Sequence, residues 1–444
     1  MKKLRDWWEN MSDNLCNNLN LSIDFPEYKN VNFFQACDWN KHLLKFKLHR
    51  KNKRLSKKDA LEDFDAFKFA IDTLYCGKPI HEKSGVDFEA IYKEIEDYIE
   101  TTEEITTKDL CEKYAEAFKN KFVDNHFYFQ LPMDRNNPVR LPTHKNYLPY
   151  FTDIVVEKVG DDYIVISSEC ENVKVGDVIE DTGCMFETLP QNKKRKFLVG
   201  CRSWEKCENI KIVCNNETIS VKTHLCRVAE KEEKDIVFSN YKDNEIDIIR
   251  SNTFTSTIDK TTVSDCIVLG EILRNNKVII FDIHGNGGGN SLYSAEFIKN
   301  LNGYCEENPY TTIELITPLH KKSKELKTKD WVVHNKNNIE LEKATFNGKL
   351  IVLTDYYCAS SAEETINFTK SLKNTIRVGT NTNGCNCFTN LWVCILPKTY
   401  MAIFLPNVAI LDMFEEGKGF EPDYWLDTTE PLEEIKNWLK SNDV

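Results

Sequence analysis

No eighteen-residue stretch of this chain is free of charge and strong polarity, so the sequence predicts no helix that crosses a bilayer. It also lacks an excess of positive charge, with 58 Lys and Arg against 70 Asp and Glu and a net charge of −12. Affinity for nucleic acid rests on clustered cations that neutralise phosphates, so a nucleic-acid partner is not expected. One basic stretch, 41–58 with Lys45, Lys47, Arg50, Lys51, Lys53, Arg54 and Lys57, reads as a solvated helix face followed by a charged loop. Residues 1–13, with Trp7 and Trp8 among charges, have no apolar run of the kind an export signal needs, and a cytoplasmic protein is expected. The sixteen cysteines are scattered, with no CxxC pair repeated at zinc-like spacing, and are read as mostly reduced, buried thiols. No internal repeat or long low-complexity segment is present.

What is there suffices for several cores. At 444 residues, with 41% hydrophobic and 11% aromatic side chains, the chain should fold as two or three domains. Apolar residues recur at three- and four-residue intervals as Phe64, Phe67, Ile71 and Leu74, then Phe88, Ile91, Ile95 and Ile99, then Leu110, Tyr114 and Phe118. This predicts helices from Ser56 to about Phe122, in an N-terminal helical region taken as 1–145 that ends in the Asp-Asn-His phrase. Near 148 the texture changes to short apolar runs, 154–156, 163–166 and 178–179, between Gly, Asp and Asn turns, which predicts a small β-rich domain over 146–230. The phrase Val173-Lys-Val-Gly-Asp-Val-Ile179, followed by 210–213 and 218–222, resembles the strand order of PDZ-like domains, although a generic β insertion reads equally well. Over 231–444 strands and helices alternate: strand 277–283, helix 291–301, strand 349–353, helix 361–372. Alternation of this kind predicts a βαβ core with its reactive groups at the C-terminal ends of strands.

Two strand-to-helix turns carry the candidate chemistry. The first, His284-Gly-Asn-Gly-Gly-Gly-Asn290, follows a buried strand, and its glycines let backbone N–H groups approach developing negative charge. It has no Gly-Lys-Ser/Thr ending and is therefore not a Walker loop. The second ends a buried strand in Thr354-Asp-Tyr-Tyr-Cys-Ala-Ser-Ser361 and opens a helix. A serine there stands at the positive end of the helix, where an alkoxide-like transition state is favoured. Taken singly, Ser360 and Ser361 read sooner as helix caps.

Together the turns resemble a known family. Asp282-x-His284-x-Asn286-x-Gly288-Gly289 and Ser361-Ala-x-Glu364 are similar to the Asp-x-Arg-x-Asn-x-Gly-Gly and Ser-Ala-x-Glu blocks of the C-terminal-processing-protease and tricorn-core serine peptidases. Arg377-Val-Gly-Thr-Asn-Thr-Asn-Gly384 and Gly417-Lys-Gly-Phe-Glu-Pro-Asp423 resemble two further blocks, in order, so that the likeness covers about 262–428. The resemblance implies an α/β fold: a ClpP/crotonase-like core carrying a PDZ-like domain and an N-terminal helical region. It implies peptide-bond hydrolysis through an acyl-enzyme without metal or organic cofactor, on a peptide or unfolded protein chain end. A homo-oligomer is left open.

The same resemblance assigns roles. Ser361 is the nucleophile, with Ser360 the alternative. The branch with a lysine base carries it just after the glycine matching Gly384, where this chain has Cys385. The tricorn-like branch uses a histidine at the end of the helical leader, matched here by His126 in Asp124-Asn125-His126; an imidazole with a pKa near ~6.5 accepts a serine proton at neutral pH. Counting back from Gly419 gives Glu416 as the carboxylate orienting the imidazole, with Glu415 the alternative. Backbone N–H groups of Gly288 and Ala362 would form the oxyanion hole, and Asn125 would assist where the branch places serine. His284, in place of arginine, is read as structural. Two other readings remain: a non-proteolytic ligand- or peptide-binding module on the same fold, and a thiol enzyme using Cys358 or Cys385, neither of which has an adjacent base in the sequence.

Overall fold

The computed structural model describes residues 32–35, 52–130, 140–142, 146–230, 235–243, 246–255, 260–317 and 330–442. Residues 41–51 of the basic stretch 41–58 and the segment 1–13 lie outside them. The protein is a mixed α/β molecule whose chain divides into two compact units. One comprises Met1–Lys145, Tyr310–Asn337 and Cys385–Gly417; the other comprises Asn146–Pro309, Asn338–Gly384 and Lys418–Val444. Among the described residues no helix is long and apolar enough to cross a membrane.

In the first unit, helices Lys57–Leu74, Phe88–Thr101 and Thr107–Phe118 form where the apolar periodicity predicts them. Each starts on a side chain that satisfies an orphan N–H: Ser56 accepts from Asp59 N, Asp87 from Ala90 N and Thr106 from Asp109 N. Their inward faces meet in one aromatic core, with Phe67 stacked on Tyr114 at 4.2 Å between ring centroids. That core extends onto Trp392, Cys394, Ile403 and Leu405 of two long antiparallel strands, Phe388–Ile395 and Ala402–Ile410. Burying each such side chain contributes roughly 1.5–3 kcal/mol.

Outside the helical run from Ser56 to about Phe122, the region 1–145 also contributes short strands. Asn32–Gln35 pairs with Phe388–Ile395, Tyr128–Gln130 pairs with Ala402–Ile410, and Arg140–Pro142 pairs with Tyr128–Gln130. These strands are only three or four residues long and find partners mostly hundreds of residues away, so they leave no local period to read.

The second unit holds two sheets. The first runs, in spatial order, Glu217–Lys222, Asn209–Cys214, Val178–Ile179, Asp162–Ser168, Leu148–Val159, Lys194–Ser203 and Met185–Gln191. The last two strands join through Asn192 and Lys193, both at positive φ (52° and 64°), as a two-residue hairpin matching strand twist requires. The other sheet runs Ser239–Asp243, Ile246–Arg250, Val278–Asp282, Lys349–Thr354, Thr375–Gly379 and Tyr424–Trp425, parallel from the second strand onward. All five residues of Val278–Asp282 are buried, as in a sheet covered on both faces. Helices Leu292–Asn302 and Ser361–Thr369 follow the two central strands, so both glycine- and serine-bearing turns stand at strand C-terminal ends.

Candidate active site

In the sheet-bearing unit, the two turns pack against each other. The Ala359 N–H donates to the Asn286 carbonyl at 3.0 Å. Gly288 has φ +93°, and a Cβ on it would stand 2.8 Å from Ser360 Cβ and 3.0 Å from Ser361 N, so only glycine fits. Ser361 is the first residue of its helix and 7% exposed, and its hydroxyl donates to the Gly289 carbonyl at 2.8 Å. Before it, Ser360 is held at φ 56°, ψ −122°, a conformation that costs a non-glycine residue about 1–3 kcal/mol. The buried Glu363 carboxylate holds the turn: it accepts from Ser360 N at 3.1 Å, from Thr382 Oγ1 at 2.5 Å and from Gly384 N at 2.8 Å. Thr382 in turn exchanges hydrogen bonds with Phe420, which ties the third and fourth sequence blocks to the first two.

Both expected oxyanion donors have internal acceptors. The Gly288 N–H donates to Asn286 Oδ1 at 2.9 Å, and the Ala362 N–H to the Ala359 carbonyl at 3.1 Å. A carbonyl oxygen arriving at either N–H must therefore replace or share an acceptor already there.

The place of His284 has a concrete explanation. Its Nδ1 lies 2.6 Å from Asp282 Oδ1 and its Nε2 3.0 Å from Arg250 Nη2. Guanidinium only donates, so Nε2 is the acceptor and the ring proton sits on Nδ1, facing the carboxylate. Arg250, from the neighbouring strand, also reaches Asp282 Oδ1 at 3.3 Å and the His284 carbonyl at 2.8 Å. The cation absent from the motif is thus supplied by the adjacent strand.

Sequence reasoning missed Asp355, whose Oδ1 accepts from the N–H groups of Gly285, Tyr357 and Cys358 and so fixes both turns at once. Burial pushes its carboxyl up, against those hydrogen bonds. Nearby, the Cys358 thiol is sealed and donates to the Ile283 carbonyl, and burial pushes it well up.

The helix-rich unit assembles a second cluster around Asp124-Asn125-His126. Asp124 is fully buried; its Oδ1 accepts from His126 N and Phe127 N, both at 2.9 Å, and its Oδ2 from the Tyr75 hydroxyl at 2.6 Å. Burial raises the Asp124 carboxyl to about 7 against the pull of these donors. Since Tyr75 donates to Asp124, its oxygen accepts from His81 Nε2 at 2.8 Å. Burial lowers His81 to about 3, so that ring is neutral.

Glu416 is buried and accepts from Asn125 N at 2.9 Å and from Cys387 N at 2.8 Å, whereas Glu415 is exposed. His126, 8% exposed, lies beside Cys385, whose Sγ stands 3.6 Å from each ring nitrogen. A cavity of about 280 Å³, with Ile80, Val86, Phe122, Phe388 and Leu411 in its walls, opens against Glu416. This unit thus brings together His126, Asn125 and Glu416, and adds Asp124, Tyr75, His81 and Cys385. Of these additions, the Asp-Asn-His phrase signalled Asp124 and the place after Gly384 signalled Cys385; Tyr75 and His81 had no signal in the sequence. Among the described residues no three His, Cys, Asp or Glu side chains converge as metal ligands.

No curated protein matches the chain in sequence. Among solved structures it is similar to mature CPAF, at 12% identity over 87% of this chain and 96% of that one, with a TM-score of 0.45. It is similar to the photosystem II D1 C-terminal processing protease, at 13% identity over 84% and 94%, TM-score 0.37. It is also similar to the tricorn protease, at 15% identity over 87% of this chain and 36% of that one, TM-score 0.37. The model of Peptidase family S41 matches residues 246–424, the segment that carries the four sequence blocks. Over that segment, less than half of the chain, the sequence matches Peptidase family S41, a family of serine-type peptidases.

Proposed function

We propose that the chain is a serine endopeptidase or carboxy-terminal processing peptidase acting on peptides or unfolded chain ends, with Ser361 as nucleophile, His126 as general base and Glu416 as supporting carboxylate. The observation that carries this reading is Ser361 itself: a serine at a helix N-terminus, 7% exposed, behind a strained Ser360, on a turn braced by Gly288. In the proposed reaction His126 takes the Ser361 proton as Oγ attacks the peptide carbonyl, then returns it to the leaving amine. Water releases the acyl group by the same proton transfers in reverse.

Glu416 is preferred to Glu415 because it is buried and hydrogen-bonded beside the histidine phrase, while Glu415 faces solvent. Its support acts on the backbone of Asn125, next to His126, and on that of Cys387. Ser361 is preferred to Ser360 because the Ser360 N–H and strained φ serve the turn. The oxyanion hole of Gly288 and Ala362 forms when the substrate oxygen competes with Asn286 Oδ1 and the Ala359 carbonyl. We read the 148–225 sheet as PDZ-like and the parallel sheet as ClpP/crotonase-like.

Cleavage of unfolded casein by the purified protein tests the reading. Activity abolished by Ser361→Ala and kept by Ser360→Ala supports it; activity that survives Ser361→Ala contradicts it.

A further inference from the structure

Cys385 and His126 are brought side by side within one unit although 259 residues separate them. The sulfur is equidistant, 3.6 Å, from Nδ1 and Nε2. Equal distances put it to one side of the imidazole rather than on either lone-pair axis. Acid–base pairs are commonly this loose before a substrate binds. The segments bearing the two residues are fixed by one carboxylate, since Glu416 binds the N–H of Asn125 and that of Cys387. The pair is buried but less completely than other thiols: Cys385 is 6% exposed and His126 8%, against 0–1% for Cys111, Cys358 and Cys394, whose thiols burial pushes well up. The sequence showed no base for Cys385; the fold supplies one.

We propose that Cys385 is a reactive thiol, deprotonated by His126 and modified by low-molecular-weight disulfides. His126 accepts the S–H proton and the thiolate attacks one sulfur of the disulfide. The Cys385–sulfur bond forms as the disulfide bond breaks, and the departing thiolate takes the proton from the imidazolium to leave as a thiol. One disulfide is consumed and one is made. A group on Cys385 then crowds the ring, and the modified protein loses any activity that needs this base. That last consequence rests on the role proposed for His126; the reactivity of the thiol does not.

The test exposes the reduced full-length protein to glutathione disulfide and follows each cysteine by mass spectrometry. Cys170 and Cys305, partly exposed and pushed up by burial, serve as internal references. Cys385 is expected to react first. In His126→Ala its rate should fall about tenfold, because an unassisted thiol is only a few per cent ionised at neutral pH, while the reference rates hold. A Cys385 no faster than Cys170 and Cys305, or equally fast without His126, overturns the proposal. Should the reference rates rise in His126→Ala, that variant has loosened, and the ranking in the unaltered protein decides alone. Glutathione disulfide should also abolish casein cleavage reversibly, with dithiothreitol restoring it, and should leave the Cys385→Ser variant at its untreated rate. A fully modified protein that still cleaves overturns the control of activity. A protein inactive before treatment contradicts the peptidase reading and leaves the adduct ranking to judge the thiol.

Discussion

The serine-bearing unit and the histidine-bearing unit build their reactive residues by opposite means. Ser361 stands where a parallel strand hands over to a helix, and residues adjacent in sequence, Ser360 to Glu363, supply its turn and much of its bracing. His126 sits in a loop fixed by groups from three distant stretches of chain: Tyr75 and His81, Cys385 and Cys387, and Glu416. Its organisers are two buried carboxylates, Asp124 and Glu416, that grip backbone amides. A serine placed by topology leaves a short, readable motif, whereas a histidine placed by buried polar contacts leaves almost none.

The comparison can be broken most severely at the serine. Ser361→Ala should lower the casein-cleavage rate by on the order of 10⁶, the cost of removing a hydrolase nucleophile, while urea unfolding shows no loss of stability.

Next in size are the polar anchors of each unit. Arg250→Met strands the buried Asp282 without its cation and should cost about 3–5 kcal/mol in urea unfolding. Asp124→Ala leaves the His126 and Phe127 amides and the Tyr75 hydroxyl short of an acceptor, and should cost about 3 kcal/mol. If the two units differ as described, the Asp124 variant also loses activity out of proportion to its stability, through kcat. An equal loss in both variants would erase the distinction.

A gentler probe is pH. Asp124 is raised in the folded protein from 3.8 to about 7, so its stabilising share is complete below pH ~4 and is lost as pH rises through about 7. The stability of the unaltered protein relative to Asp124→Asn should fall across that window; a difference that is flat or rises with pH contradicts the assignment. Smallest of all, Glu415→Ala alters an exposed carboxylate and should change stability by less than about 0.5 kcal/mol and leave cleavage intact.

The same contrast explains what could be read from sequence. Helix 57–74 was legible because Phe64, Phe67, Ile71 and Leu74 share one face, and the strands 278–282 and 349–354 because they are unbroken apolar runs ending in glycine or serine turns. His284 could be set aside as structural, but not understood: its partner Arg250 lies 34 residues away on another strand. The strand pairing of 128–130 with 402–410 and the acceptance of two amides by Glu416 depend on long-range register, which no local pattern encodes. Cys385 illustrates the limit most sharply. It sat in the sequence as a departure from a motif, without a base, and acquired one only through the fold.

The central claim is that Ser361 is a nucleophile activated by His126. Fluorophosphonate labelling of the purified protein, with the adduct located by tandem mass spectrometry and His126→Ala run in parallel, tests it most directly. The account predicts a single adduct on Ser361 that disappears in the histidine variant. A folded protein that takes no adduct, or one whose Ser361 reacts equally well without His126, would contradict it.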